Sequence, residues 1–493
     1  MINDELLFKV ECVVQKKPDY ADYTLLIQEN IVKQPEIYPV ALALLSGTGR
    51  RRLVDVGCGI GTKLAEAPVG AKLGIDFEAN IAHCRDTYPE MAEWYGLDLE
   101  TAVPDYLTET IGPDDVVVCS DVIEHLVDPR PLLAFLRHCF QRGALVITST
   151  PDRLLVRGAD HPGPPPDPAH GQEWTSAEYR ALLLANGLPP LYIGLTFDNN
   201  QDGFLQTIVS IHEPRLQRLY QAAPHRPLAI MSCFNEDDVL DEVIEHWIAQ
   251  GCDLHIFDNW STDRTWSILE AASMRFDSRV VIERFPREDP GHGSWRDILA
   301  HKEDIAFCHK GRWIIHTDAD EIRQSPFASL NLADALHIVE LAGWNRINFT
   351  VLNHRPVNGE PYLPGSLAGA LPYFEFGTKP GHFIQKKAWL QGAVKVCLAD
   401  SGGHLAEFAD ARDCPYHFML HHYPLRSEEH GRRKINRERF SRWSAQELAS
   451  GWHRHYDELA GDASLRWDAL ALHDIRNDFW SRHGLQILSG LQR

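Results

Sequence analysis

Short apolar runs of four or five residues alternate with amphipathic helical patterns in two separate stretches of this 493-residue chain. That alternation restricts it to layered α/β architecture. In the first stretch Leu53–Val56, Lys72–Ile75, Val116–Cys119 and Ala144–Thr148 read as strands, with helices at Pro131–Phe140 and Ser176–Asn186. The second opens with a strand at Leu228–Ser232 and a helix over Asp237–Gln250, then strands at Leu254–Phe257, Arg279–Glu283 and Trp313–Thr317. Both read as parallel sheets covered by helices. Two prolines in QAAPHRP, 221–227, interrupt the pattern and divide the chain into regions 1–220 and 226–493. The proline-rich stretch Arg157–Pro168 reads as a loop beside a site, and the chain from Glu428 onward as a helical cap.

Charge and apolar content narrow the function classes. The chain has 48 basic and 69 acidic residues, a balance of −21 that repels phosphate backbones and argues against bulk nucleic-acid binding. It has no run of about 18 apolar residues, the minimum for a membrane-spanning helix. The N-terminus lacks the basic-then-apolar order of a secretory signal, so a cytoplasmic location is the expectation. Ten scattered cysteines without a C-x-x-C pair fit a reducing compartment, and Cys58, Cys119, Cys233 and Cys252 read as small core residues.

In the first region a strand runs straight into a glycine turn, Val54-Asp55-Val56-Gly57-Cys58-Gly59-Ile60-Gly61. Glycines there allow positive φ and let a ligand approach the backbone. Asp76 closes the next strand, where an acidic side chain accepts hydrogen bonds from ribose hydroxyls, and Asp98 follows strand three in GLDLE. The G-x-G-x-G spacing departs from the dinucleotide fingerprint G-x-G-x-x-G. VDVGCGIG, GIDFE, GLDLE and VVVCSDVIEHLVDP together resemble the class I S-adenosylmethionine-dependent methyltransferases over roughly residues 50–200. The resemblance implies a Rossmann-like sheet in which Gly57, Gly59 and Gly61 pass the methionine portion, Asp76 holds the ribose and Asp98 lies by the adenine, with Asp55 also among the cofactor-binding residues.

Methyl transfer from a sulfonium is an in-line displacement, so the protein aligns the acceptor and, for a hydroxyl, removes its proton. His125, in Asp121-Val-Ile-Glu124-His125, and His170, in HGQEWT, are the candidate bases. The same carboxylates and histidines could hold a metal. In that they resemble the metal-dependent small-RNA 2′-O-methyltransferases, with Asp121 where that family has glutamate.

In the second region three polar clusters each follow a strand: Asn235-Glu236-Asp237-Asp238, then Asp258-Asn-Trp260-Ser-Thr-Asp-Arg-Thr265, then His316-Thr-Asp318-Ala-Asp320-Glu321. Ligands of open α/β sheets bind at such strand ends. Paired carboxylates on one loop suit Mg²⁺ or Mn²⁺ bridging a diphosphate. The clusters resemble the GT-A glycosyltransferases of the family-2-like group, over roughly residues 226–435. The resemblance implies a nucleotide-sugar donor, nucleoside contacts from Asn235, Glu236 and Asp258, and a metal–diphosphate held by Asp318 and Asp320. Arg296 is a further candidate for the phosphates. The segment His421-His422-Tyr-Pro-Leu-Arg426-Ser resembles the H-Y-x-x-[RK]-S of such transferases and makes His422 the expected third metal ligand, with His417 and His421 as fallbacks. Glu375, Glu407, Asp410 and Asp413 are equally placed as acceptor base, and Trp260 stands where that group has a small residue.

The expectation is therefore a two-domain α/β enzyme. It would transfer a sugar from a nucleotide sugar and a methyl group from S-adenosylmethionine, with one glycan receiving both. The alternatives are that one half is silent and serves as a binding module, or that the first half modifies RNA.

Overall fold

The computed structural model describes residues 31–158, 165–167, 169–201, 205–220, 222–327, 330–357, 362, 365, 367–378, 381–438 and 465–476. The chain divides into two compact units, one drawn from the residues up to Arg218 and the other from Leu219 to Asn477.

The first unit is built on seven strands: β1 (Arg52–Val56), β2 (Ala71–Asp76), β3 (Glu93–Gly96), β4 (Asp115–Ser120), β5 (Leu145–Pro151), β6 (Tyr192–Phe197) and β7 (Leu205–His212). Their order is β3-β2-β1-β4-β5-β7-β6. Strands β3, β2, β1, β4 and β5 are parallel, and Val54, Val56, Leu73, Ile75, Val117 and Val146 are buried in one core with Leu132, Phe135 and Leu136 of the helix Arg130–Gln141. The expected all-parallel sheet ends at β5. β7 runs antiparallel to both β5 and β6, because β6 and β7 form a hairpin rather than a helical crossover. The chain winds outward from β1 to β3 and then returns to β4, so a crevice opens between the C-terminal ends of β1 and β4.

The second unit repeats that device with β8 (Leu228–Cys233), β9 (Asp253–Asp258), β10 (Val280–Arg284) and β11 (Trp313–Asp318), all parallel in the order β10-β9-β8-β11. Here too the winding reverses, between β8 and β11. The register pairs Cys233 with Asp258 and Ser232 with Asp318, which brings three polar clusters to one rim.

Beyond β11 the sheet is mixed. β12 (Glu321–Gln324), β13 (Arg346–His354), β14 (Tyr373–Phe376), β15 (Ile384–Leu390) and β16 (Phe418–His422) extend it, with β15 antiparallel to β11 and β13. β16 lies between β12 and β13, with His422 opposite Glu321 on one side and Asn353 on the other.

Of the proline-rich stretch, Arg157 ends the helix Arg153–Arg157, 159–164 and 168 lie outside the described residues, and the rest is irregular. Of the expected C-terminal helical cap, Glu428–Arg432 is a helix and Arg433–Glu438 a π-helical turn, whereas 465–476 departs from it: beyond a 3₁₀ turn at Ala469–Ala471 it pairs His473–Asp474 antiparallel with β14. Residues 439–464 of it lie outside the described residues.

Candidate functional sites

In the first unit Gly57, Gly59 and Gly61 all have positive φ, at 84°, 56° and 75°. Two of them are required by the chain's own packing. A Cβ on Gly57 would stand 2.2 Å from Val122 Cγ2, and one on Gly61 2.7 Å from the Trp94 ring. The backbone N–H of Gly59 donates to Asp76 Oδ2 at 2.7 Å, while Phe77 N and Asn80 Nδ2 donate to Oδ1 at 2.7 and 2.8 Å. Asp76 therefore ties the glycine turn to β2 from a buried position. Asp55 is buried beneath that turn, accepts a hydrogen bond from the Tyr38 hydroxyl, and burial raises its pKa to about 6. Asp98 is half-buried past β3, and its carboxylate accepts from Glu100 N at 3.0 Å. Bare backbone and a buried carboxylate at one strand end fit the nucleoside cofactor that the sequence implies.

Glu124, His125 and His170 converge, with one ligand-capable atom from each lying within 4.8 Å of the others. The two rings meet edge to face at 4.9 Å. His170 Nδ1 lies 2.7 Å from Glu173 Oε1, and Glu173 in turn pairs with Arg157 at 2.8 Å. His125 Nδ1 faces the Ala169 carbonyl at 3.0 Å. Carboxylates and carbonyls only accept here, so each ring carries a proton on Nδ1, and His170 Nε2 lies 3.8 Å from Asp167 Oδ2. Desolvation and then His170 lower the His125 pKa. Burial, followed by Asp121, holds the Glu124 carboxyl well above its ordinary value. Asp121 falls outside this group. Its backbone has φ of 52°, and its carboxylate accepts from Ser149 Oγ at 2.7 Å and from Gln34 Nε2.

In the second unit Asn235 has φ of 56°, donates its backbone N–H to Ser261 Oγ at 2.9 Å, and accepts from Thr262 N on its Oδ1 at 2.8 Å. Asp258, wholly buried, accepts the N–H of Ser261 at 3.2 Å. These bonds lock the β8 and β9 turns to each other. Trp260 turns its indole N–H to the Pro286 carbonyl at 2.8 Å, and Arg284 lies 4.6 Å from both the Trp260 and Trp266 rings. Arg426 is buried and donates to Glu236 at 2.5 Å and to both oxygens of Asp238 at 2.7 Å. Against the upward push of burial, Arg426 and Lys434 hold the Glu236 pKa at about 2. Glu236, Asp238 and His430 also cluster, but Arg426 sits among them, donating to His430 Nε2 at 2.8 Å as well.

Asp318 and Asp320 stand on the turn between β11 and β12. Asp318 Oδ1 is buried without a hydrogen bond, with Lys302 Nζ 3.5 Å away. His422 Nε2 lies 3.9 Å from Asp320 Oδ1 while its Nδ1 meets Asn353 Oδ1 at 2.9 Å. Burial lowers the His422 pKa to about 3, which keeps its ring neutral. The fallback histidines are engaged elsewhere: His421 with His354 and Gln324, His417 with Thr350. Asp318, Asp320 and His422 supply the donor types that a hard divalent cation takes, although among the described residues the groups of three whose ligand atoms lie within 4.8 Å of one another are Glu124, His125 and His170 and Glu236, Asp238 and His430.

Arg296 is exposed on the first turn of the helix Trp295–Phe307, and it is Lys302, further along the helix, that reaches Asp318. Among the candidate bases, Asp413 is paired with Arg346 and Lys386 at 2.6 Å each and Glu375 with Arg355 at 2.8 Å, while Glu407 and Asp410 are exposed. The role of Glu321 has no sequence signal beyond its place after the D-x-D triplet: it accepts the Asp318 N–H at 3.1 Å. Lys302 and Tyr38 carried none.

In both units the parallel strands end in a glycine or carboxylate-bearing turn, the place where open α/β sheets bind ligands. The chain matches the family model described as methyltransferase domain over residues 34–192, and that described as glycosyl transferase family 2 over residues 228–323. It is a fusion of these two enzyme domains. Over 109 residues it is 34% identical to the ubiquinone biosynthesis O-methyltransferase of Caulobacter sp. (strain K31), a match covering 21% of this chain and 42% of that protein. Over 115 residues it is 31% identical to the enzyme of the same name from Xylella fastidiosa (strain M23), covering 21% and 44%. The chain thus spans less than half the length of these curated relatives. Among solved structures, the methyltransferase domain of bacterial CtHen1 is 19% identical with a TM-score of 0.28, covering 36% of this chain and 97% of that one. No helix among the described residues is long and apolar enough to cross a membrane.

Proposed function

We propose that the first unit transfers a methyl group from S-adenosylmethionine to an oxygen, that the second transfers a sugar from a nucleotide sugar, and that one glycan receives both. The observation that supports the donor assignment is the buried Asp318 Oδ1, which lacks a hydrogen bond, on the same turn as Asp320, whose Oδ1 lies 3.9 Å from His422 Nε2. Asp318, Asp320 and His422 would hold Mn²⁺ or Mg²⁺, which neutralises charge on the departing nucleoside diphosphate. Asn235, Glu236 and Asp258 orient the nucleoside from the β8 and β9 ends, and Arg296 is the further phosphate candidate.

In the first unit, Gly57, Gly59 and Gly61 border the methionine portion, Asp55 faces its amino group, Asp76 holds the ribose and Asp98 the adenine. His170, oriented by Glu173, or His125 takes the acceptor proton on Nε2. The curated relatives are O-methyltransferases by name, which supports an oxygen acceptor. The net charge of −21 favours a saccharide over RNA, and joining the two domains in one chain favours a shared product.

A second reading has a specific observation behind it. The convergence of Glu124, His125 and His170 supports a metal-assisted methyl transfer in which those residues bind a cation instead of a proton.

The test uses purified protein, labelled S-adenosylmethionine and candidate glycans, with and without a chelator. Label in the saccharide independent of metal is expected. Label only in RNA, abolished by chelation, overturns the glycan assignment in favour of the second reading.

A further inference from the structure

The geometry points to Lys434 as a ligand of the donor diphosphate that, without donor, occupies the cation site of the acidic turn, so that Arg433–Glu438 closes the site on itself. The inference rests on the glycosyltransferase reading above and adds to it a residue and a conformational step.

Lys434 Nζ stands 2.9 Å from Asp320 Oδ2 and 3.4 Å from Glu236 Oε1. From the same π-helical turn, Glu438 Oε1 accepts from Asn235 Nδ2 at 3.2 Å. One short turn therefore contacts three proposed donor-site residues from two different strand ends. π-Helical turns are strained and recur at functional sites.

Charge explains why a cation is there. Glu236 and Asp320 are buried carboxylates beside the part-exposed Asp238, and Arg426 is committed to Glu236 and Asp238. A buried carboxylate with no cation beside it is costly, so Asp320 needs one in the donor-free state. Lys434 supplies it. The two cations differ in how firmly they are held: the Arg426 side chain is 0% exposed and that of Lys434 is 23% exposed. Arg426 is a fixed part of the frame, whereas an ammonium on a flexible four-carbon stem can move without unpacking the core.

A divalent cation entering between Asp318 and Asp320 would place like charge beside Lys434 and repel it. The diphosphate arriving with that cation offers negative oxygens on the same side. Lys434 exchanges one anion for another, and the turn comes away from Asn235 and Glu236.

The test compares wild type with Lys434→Gln, and with Lys434→Met as a second uncharged variant that keeps the stem. Mn²⁺ binding alone is read from the free-ion electron paramagnetic resonance signal. UDP and GDP binding at saturating Mn²⁺ is read by calorimetry. Removing the ammonium is expected to tighten Mn²⁺ about tenfold and to weaken the diphosphates about tenfold, the size of one lost charge contact. A buttressing residue would weaken both, so the opposite signs are diagnostic. Wild-type binding with both affinities unchanged, or both weakened, in either variant overturns the role of Lys434 alone. A wild-type protein that binds neither Mn²⁺ nor either diphosphate overturns the donor-site reading itself, and this inference with it.

Discussion

Glu321 Oε2 accepts the backbone N–H of Asp318 at 3.1 Å, so the first carboxylate of the acidic turn is positioned by a buried neighbour. Glu321 is in turn fixed by Lys387 at 3.0 Å and Arg323 at 2.8 Å, and despite burial these cations hold its carboxyl well below the usual range. Glu321→Leu is expected to cost about 3–5 kcal/mol by leaving buried cations unpaired. It should also weaken Mn²⁺-dependent nucleotide binding about 10- to 100-fold, as loss of an orienting partner does. Adding Lys387→Met should recover part of the stability and none of the affinity. Denaturant melts and calorimetry on the single and double variants check both.

Arg426 makes the second unit sensitive to acid. Glu236 has a folded pKa of about 2 against an ordinary 4.5, so the folded state binds fewer protons than the unfolded chain between those values. That contribution is complete above about pH 4.5 and is lost as pH falls toward 2. Arg426→Met is expected to destabilise the unit by about 3–5 kcal/mol at pH 7, because Glu236 and Asp238 lose their buried partner. It should also flatten the acid limb of the stability profile, which urea melts between pH 2.5 and 7 would show.

The glycine turn allows a packing test. Gly57→Ala meets both a φ of 84° and a 2.2 Å approach to Val122 Cγ2. Strain and overpacking together should cost about 2–5 kcal/mol. Gly70→Ala, with nothing within 4 Å of the new Cβ and no left-handed φ, should be neutral or slightly stabilising. Thermal melts of the two variants decide.

Much of this was legible in the sequence because it is local. Each strand running into a polar or glycine turn carries its own signature, which is why Gly57–Gly61, Asp76, Asn235, Asp258 and Asp318 fall at strand ends. What was not legible depends on partners distant in sequence. His422 reaches Asp320 only because β16 inserts between β12 and β13, a pairing across about a hundred residues. Strands β13–β16 pair in mixed directions, β15 antiparallel and β16 parallel to β13, and carry no short turn signal. Lys302 looked like any charged position of an amphipathic helix, yet its side chain is turned under Asp318. Trp260 left open whether it stacks on a base. Its indole donates to the Pro286 carbonyl and packs on Arg284, contacts that no local sequence signal marks.

Asp55 gives the first unit a pH signature. Burial raises its pKa to about 6, so the folded protein binds its proton more tightly than the unfolded chain does, and its contribution to stability falls as pH rises from about 4 through 6. A cationic amino group bound beside it favours the ionised form. S-adenosylhomocysteine affinity is therefore expected to rise as pH increases from 5 to 7, and Asp55→Asn should remove that rise. Calorimetric titration across this range is the measurement.

The central claim is that one chain holds two independent donor sites, and ligand-induced stabilisation with paired site variants tests it most directly. A ligand at a hundredfold excess over its Kd stabilises the native state by about 2.7 kcal/mol, enough to move a melting transition by several degrees. S-adenosylhomocysteine should stabilise the wild type and Asp318→Ala but not Gly59→Arg. UDP or GDP with Mn²⁺ should stabilise the wild type and Gly59→Arg but not Asp318→Ala. A response to only one ligand class, or one that survives substitution of its own site, would contradict the account.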